Sequence, residues 1–197
     1  MTTPRRGRPG YDLESLLQVA VRLFNERGYD GTSMEDLSRK LGITKSAIYH
    51  HVPSKVELLR LALDRALDAL FALTQETGAT TGPAIERLEY VVRGSVRVLT
   101  AELPFVTLLL RLRGNTEVER TALQRRREFD RIVTGLVRAA EHEGDVRTDV
   151  DPAVLSRLLF GTVNSLVEWY RPAGGLSADA LADALVATAF QGLRTRP

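Results

Sequence analysis

Apolar residues recur along this chain at intervals of three and four, and no stretch sustains the every-second-residue alternation of a half-buried strand. Leu13, Leu16, Leu17, Ala20, Leu23 and Phe24 set the pattern and predict a helix from about Asp12 to Arg27, stopped at Gly28. Thr32-Ser33-Met34-Glu35 reads as a capping box, in which the Thr32 hydroxyl and the Glu35 carboxylate cover free amides at the start of a short helix ending at Leu41-Gly42. Thr44 caps a third short helix through about His51. Pro53 ends it, because the residue before a proline is pushed out of the helical region. Ser54-Lys55-Val56-Glu57 is a second capping box and opens a long fourth helix toward Glu76.

The remainder reads in the same way. A loop is expected from Gly78 to Gly82, and Pro83 opens a fifth helix to Ala101. Pro104 opens a sixth, ending near Arg113-Gly114, and a long seventh runs from Glu117 to Glu143. Asp151-Pro152 supplies the cap and first-turn proline of an eighth, which reaches Tyr170, and Ser177 caps a ninth from Ala178 to Leu193. The expectation is an all-α protein of about nine helices without an internal repeat. Its organisation reads as a flexible basic arm over 1–10, a three-helix domain over 11–53 and a second helical domain over 54–197.

Composition narrows the chemistry. The chain contains no cysteine, so disulfides, Cys-based zinc sites, Fe–S clusters and a thiol nucleophile are excluded. No uncharged apolar stretch approaches the ~18 residues of a membrane span, and the basic N-terminus is followed by Tyr11-Asp12-Leu13-Glu14 rather than by a signal core, so a cytoplasmic protein is expected. The net charge of +2 is unevenly spread. Residues 1–60 carry ten Lys and Arg against seven Asp and Glu, and all three lysines, Lys40, Lys45 and Lys55, lie there. That distribution suits a small nucleic-acid-binding module joined to a near-neutral partner domain.

Two short helices joined by Gly42-Ile43-Thr44, with Leu37, Leu41, Ile43 and Ile48 able to lock them together, match a helix-turn-helix whose second helix enters the DNA major groove. Lys45 suits guanine or phosphate, Ser46 either base type, and Tyr49 and His50 backbone oxygens, while Ala47 is small enough to let the helix lie close. The sequence Gly28-Tyr29-Asp30-Gly31-Thr32-Ser33, followed by the run from Gly42 through Tyr49-His50-His51-Val52-Pro53-Ser54-Lys55, resembles the signature of the TetR family over about residues 11 to 60. Val52 departs from the phenylalanine many members carry, a smaller core plug. The resemblance implies a homodimeric repressor of a palindromic operator on double-stranded DNA, with a C-terminal helical domain that binds a small effector. By matching position, Thr32, Ser33, Tyr49, His50 and Lys55 are similar to the family's phosphate contacts, and Thr44, Lys45 and Ser46 to its base-reading positions. Upstream, Arg5, Arg6 and Arg8 resemble an arginine hook for a narrow minor groove.

The family resemblance places the effector under the fourth helix, where Leu67, Leu70, Phe71, Phe105, Leu109 and Leu112 are apolar candidates and Arg111, Arg113 and Asn115 are candidates for an anionic head group. The stretch from Asn164 through Trp169 to Pro172 resembles TetR-family regulators of lipid and aromatic catabolism, several responsive to acyl-CoA thioesters, which adds Trp169 and the arginine run at 125–127 as candidates. A hydrophobic drug is the alternative effector, and an effector-independent architectural DNA binder the alternative class. The last two long helices suit dimerisation through residues such as Leu158, Trp169, Ala182, Leu185 and Phe190. His50 and His51, adjacent on a helix, do not share a face, so no metal is expected; no cofactor and no catalytic motif is expected either.

Overall fold

The computed structural model describes residues 12–192. They fall into two compact units, the first through Ala62 and the second from Leu63. Every regular element among them is helical: ten α-helices and one π-helical segment, against the nine helices predicted. Arg5, Arg6 and Arg8 of the expected arm lie outside the described residues.

The first unit contains α1 (Leu13–Arg27), α2 (Met34–Leu41), α3 (Lys45–Tyr49) and the start of α4 (Lys55–Gln75). Asp12 caps α1 by accepting from the Ser15 amide at 2.8 Å, and that bond holds its carboxyl below the usual aspartate range. α1 buries Leu16, Leu17, Ala20, Val21, Leu23 and Phe24, the face its periodicity predicts. The α2 capping box is present but shifted by one residue. Ser33 and Asp36 make the reciprocal pair, not Thr32 and Glu35. The Thr32 hydroxyl is buried and donates to the carbonyls of Gly28, at 2.8 Å, and Leu23, so it braces the turn after α1. The expected cap failed because a threonine beside a serine offers two hydroxyls, and only the packing of Thr32 against α1 decides which faces the helix start.

The second unit continues α4 and adds α5 (Thr77–Thr80), α6 (Ala84–Ala101), α7 (Leu103–Leu110), α8 (Glu117–Glu143), α9 (Pro152–Trp169), α10 (Ala178–Val186) and a π-helical segment, Ala187–Gln191. The loop expected at Gly78 is the short helix α5. Its glycine is explained by Tyr90, whose ring would lie 2.4 Å from a Cβ placed there. α7 ends at Leu110 rather than near Arg113, because Gly114 at φ +83 turns the chain toward the Thr116 cap of α8 and residues 111 to 115 are taken up in that connection. The ninth predicted helix is α10, which widens into the π turn before Gly192. Nothing in the sequence at 187–191 marks that change.

α6 is central to this unit and packs against α8, α9 and α10. Gly94 lets it approach α4, since a Cβ there would sit 2.3 Å from a methyl of the buried Leu73. Two ion pairs one helical turn apart, Arg93 with Asp183 and Arg97 with Asp179, fasten α6 to α10. Arg65 of α4 grips Glu102 through two hydrogen bonds, at 2.6 and 3.0 Å, with its guanidinium 4.3 Å above the Phe105 ring.

Candidate nucleic-acid interface and ligand cavity

Locking of the helix-turn-helix follows from burial. Leu37 and Leu41 of α2, Ile48 of α3 and Val52 after it are all buried. Gly42, at φ +67, makes the left-handed turn between the helices. Thr44 caps α3 by accepting from the Ala47 amide at 3.2 Å. Val52 fills its core position at 1% exposure despite its small size.

With Ile48 buried, α3 presents the opposite face to solvent: Thr44, Lys45, Ser46, Tyr49 and His50 are exposed, and Tyr49 is 50% exposed despite its aromatic ring. A large aromatic held out of a core that has room for Ile48 is not serving as packing. Lys45 pairs with Glu35 of α2, which holds the Glu35 carboxyl below its ordinary range and raises the Lys45 ammonium, so both stay charged. With one partner in Glu35, the Lys45 ammonium keeps two hydrogens for an outside group.

Two residues matched to phosphate-contacting positions are engaged inside the unit. Lys55 donates to the carbonyls of Tyr29, at 2.9 Å, and Thr32, at 2.8 Å, and lies 4.2 Å from the Tyr29 ring centroid. An ammonium has three donors, so these bonds leave one hydrogen for an outside group. The Thr32 hydroxyl is enclosed, as described above. Ser33 remains exposed, its hydroxyl bonded to Asp36 at 2.6 Å.

In the second unit, a narrow cavity of about 30 Å3 opens between α6, α7, α8 and α9 and reaches Leu70 of α4. Of the predicted ligand candidates, it brings together Leu70, Leu109 and Arg126. Leu67 is fully buried, Phe105 lies beneath Arg65, and Phe71 stands behind the wall, edge-on to Phe129 at 6.2 Å. Arg111 faces Glu168 at 3.8 Å, and Leu112, Arg113 and Asn115 lie in the connection before α8. Trp169 is 53% exposed at the end of α9. None of these lines the cavity.

The residues that do line it include several the sequence did not single out: Ser95, Phe129, Asp130 and Phe160. Phe129 and Phe160 meet edge to face at 5.5 Å. The arginine run divides by task. Arg125 reaches Asp64, at 2.8 Å, and Asp68 of α4 and stacks on Phe71, whereas Arg126 lines the cavity. Asp130 still reaches solvent, yet desolvation of its inner side pushes its carboxyl above the ordinary aspartate range, against the pull of Arg126 and Arg157. Helical spacing places Asp130 on the same face of α8 as Arg126, already a candidate, and that signal could have found it. Ser95, a small polar residue in an apolar helix, carried no signal.

α9 also carries an uncovered stripe. Val154, Leu158, Gly161, Ser165 and Trp169 fall on one face and are all exposed, Leu158 at 63%. A groove of about 590 Å3 runs beside it between α6, α8, α9 and the π segment, lined by Leu155, Leu158, Leu159 and Phe190 among others. Of the α10 residues expected at a dimer face, Ala182 and Leu185 are spent inside the chain's own core.

Among the described residues no helix is long and apolar enough to cross a membrane. Comparison with known proteins returns the same two-part organisation. Residues 16–62 match the model of bacterial regulatory proteins of the tetR family, and residues 81–193 match a tetracyclin repressor-like C-terminal domain. A transcriptional repressor of Rhodococcus jostii, KstR2, is 29% identical over 186 residues, covering 90% of this chain and 89% of the relative. The crystal structure of SCO3833, a TetR-family regulator from Streptomyces coelicolor A3, is 58% identical, covers 94% of both chains and superimposes with a TM-score of 0.88. AibR, solved in complex with isovaleryl coenzyme A and operator DNA, is 26% identical over 90% of this chain and 97% of its own, with a TM-score of 0.76. With a helix-turn-helix in the first unit and both family models covering their respective parts of the sequence, the chain belongs to the TetR family of transcriptional regulators.

Proposed function

We propose that this protein is a cytoplasmic repressor that binds a near-palindromic operator as a homodimer and releases it when an acyl-CoA thioester occupies the second unit. The observation that carries the DNA reading is the solvent face of α3, where Thr44, Lys45, Ser46, Tyr49 and His50 stand exposed on a helix anchored by buried Ile48. Lys45 and Ser46 read base edges in this scheme, and Ser33, Tyr49 and His50 contact phosphates, with the remaining Lys55 hydrogen and the arginines of the N-terminal arm adding to them.

The dimer reading rests on α9. A stripe with small residues at its centre, Gly161 and Ser165, and large apolar ones toward its ends, Leu158 and Trp169, suits close approach of a second helix. Leu158→Asp is expected to convert a dimer into a monomer in sedimentation analysis. The effector reading rests on a cavity with an apolar wall and a cation, Arg126, in its lining, together with the coenzyme A ligand of AibR. Apolar wall and cation suit an acyl chain followed by a phosphate-bearing carrier. Release then follows from preferential binding of the thioester to a conformer that fits the operator poorly, with coupling of ~1 to 3 kcal/mol.

Fluorescence anisotropy on the protein's own promoter DNA, at fixed salt and with a panel of acyl-CoAs, tests the whole scheme. Release by one thioester supports it. Tight binding indifferent to every thioester removes the effector assignment and favours a hydrophobic drug, and the absence of specific binding removes the DNA reading.

A further inference from the structure

Ser95 lies on α6 with 2% of its surface exposed, and no protein group meets its hydroxyl oxygen. A serine within a helix usually returns its hydroxyl to the carbonyl one turn back, as Thr107 does to Leu103 at 2.7 Å and Thr134 to Asp130 at 2.8 Å. Ser95 does not. A buried hydroxyl left without a partner weighs against the fold, and a ligand that bonds it removes that cost. Ser95 lines the cavity, whose apolar wall includes Leu99, Val106, Leu109, Phe129 and Phe160.

Polarity along this cavity is graded. Asp130 is exposed and Arg126 half-buried, so the charged groups stand nearest solvent, while Ser95 is the most enclosed polar group. Half-buried Asn164 adds an amide to the same lining. Nothing beside Ser95 in the lining offers a full charge at that depth, which disfavours an ion there and suits a neutral oxygen.

We propose that the cavity selects ligands bearing a neutral, hydrogen-bond-accepting oxygen, a ketone or a hydroxyl, on an otherwise apolar skeleton, and that the Ser95 hydroxyl reads that oxygen. The inference rests on the reading of this unit as the effector domain and sharpens it: a plain saturated chain leaves Ser95 unbonded, whereas an oxygenated one completes it. The space is small, about 30 Å3, so a ligand enters by parting the aromatic wall with its skeleton as its oxygen comes within reach of Ser95.

The test is a matched pair of neutral fragments, cyclohexanone and methylenecyclohexane, which differ by exchange of C=O for C=CH2. Binding is read by ligand-observed NMR on the full-length protein and on Ser95→Ala, whose fold is checked by its melting temperature. The expected result is about fivefold tighter binding of the ketone to the native protein, with that preference lost in Ser95→Ala and binding of the alkene maintained or improved. Equal binding of the pair to the native protein, a ketone preference that survives in Ser95→Ala, or no binding of either fragment overturns the proposal. The effector assignment is scored separately by thioester-driven DNA release: release without ketone preference sinks the Ser95 reading alone, and ketone preference without release sinks the thioester alone.

Discussion

The two units use polar side chains in opposite ways. In the first, polar groups build the turns of the motif: Ser33 and Asp36 cap α2, Thr44 caps α3, Thr32 braces the chain after α1, and Lys55 ties the 29–32 segment to the start of α4. What remains for function is the outward face of a scaffold braced by these bonds. In the second, polar groups lie between helices as ion pairs, Arg65 with Glu102 and Arg125 with Asp64 and Asp68, and one hydroxyl, Ser95, is left enclosed and unanswered. A DNA-reading surface requires its side chains held still, whereas a ligand cavity requires a place where the interior is incomplete.

The largest expected effect strikes the scaffold of the first unit. Ile48→Ala removes the wholly buried anchor of α3 and is expected to cost about 2–4 kcal/mol in denaturant unfolding, with operator binding lost alongside. If DNA affinity survives that loss, the outward face does not depend on the anchor and the contrast between the units fails. Gly94→Ala probes the second unit in the opposite sense, by overpacking. The added methyl meets Leu73, and a loss of about 1–3 kcal/mol is expected in thermal unfolding.

A substitution on the outward face separates function from stability. Lys45→Ala is expected to weaken operator binding by about 1–3 kcal/mol, and to flatten its salt dependence if the lysine meets a phosphate, as read by anisotropy across a salt series. Folding stability stays nearly unchanged, because both members of the Lys45–Glu35 pair are well exposed. The smallest effect is a pH dependence at the cavity. Burial raises the Asp130 carboxyl, so the folded state favours its protonated form, and the ionised form weighs against folding as pH rises through the folded value. Asp130→Asn is therefore expected to raise the melting temperature slightly at pH 7 to 8, with the gain vanishing as pH falls toward the ordinary aspartate value of 3.8; calorimetry at several pH values checks this.

Legibility follows the same division. The helices of the first unit were readable because their signals are local: spacing of Leu16, Leu17, Leu23 and Phe24, Gly42 at the turn, Thr44 as the cap. The choice of Ser33 over Thr32 as cap was not, since two adjacent hydroxyls are locally equivalent until one packs. In the second unit, the start of α9 was announced by Asp151-Pro152, and α8 begins at the expected Glu117, capped by Thr116. The cavity was not, because Leu70 and Leu109 are no more distinctive in sequence than Leu67, and Ser95 and Phe160 come together only when α6 and α9 pack.

By itself the sequence determined an all-helical chain, a helix-turn-helix at its front and the identity of the residues on the exposed face of α3, because periodicity, caps and turn glycines act within a few residues of one another. Tertiary structure decided that Lys55 and Thr32 are largely consumed inside the first unit, that Arg125 and Arg126 part company, and that one buried hydroxyl lines an opening in the core. Those outcomes turn on which side chains from distant segments meet. That is fixed by the packing of whole helices, and no local pattern encodes it.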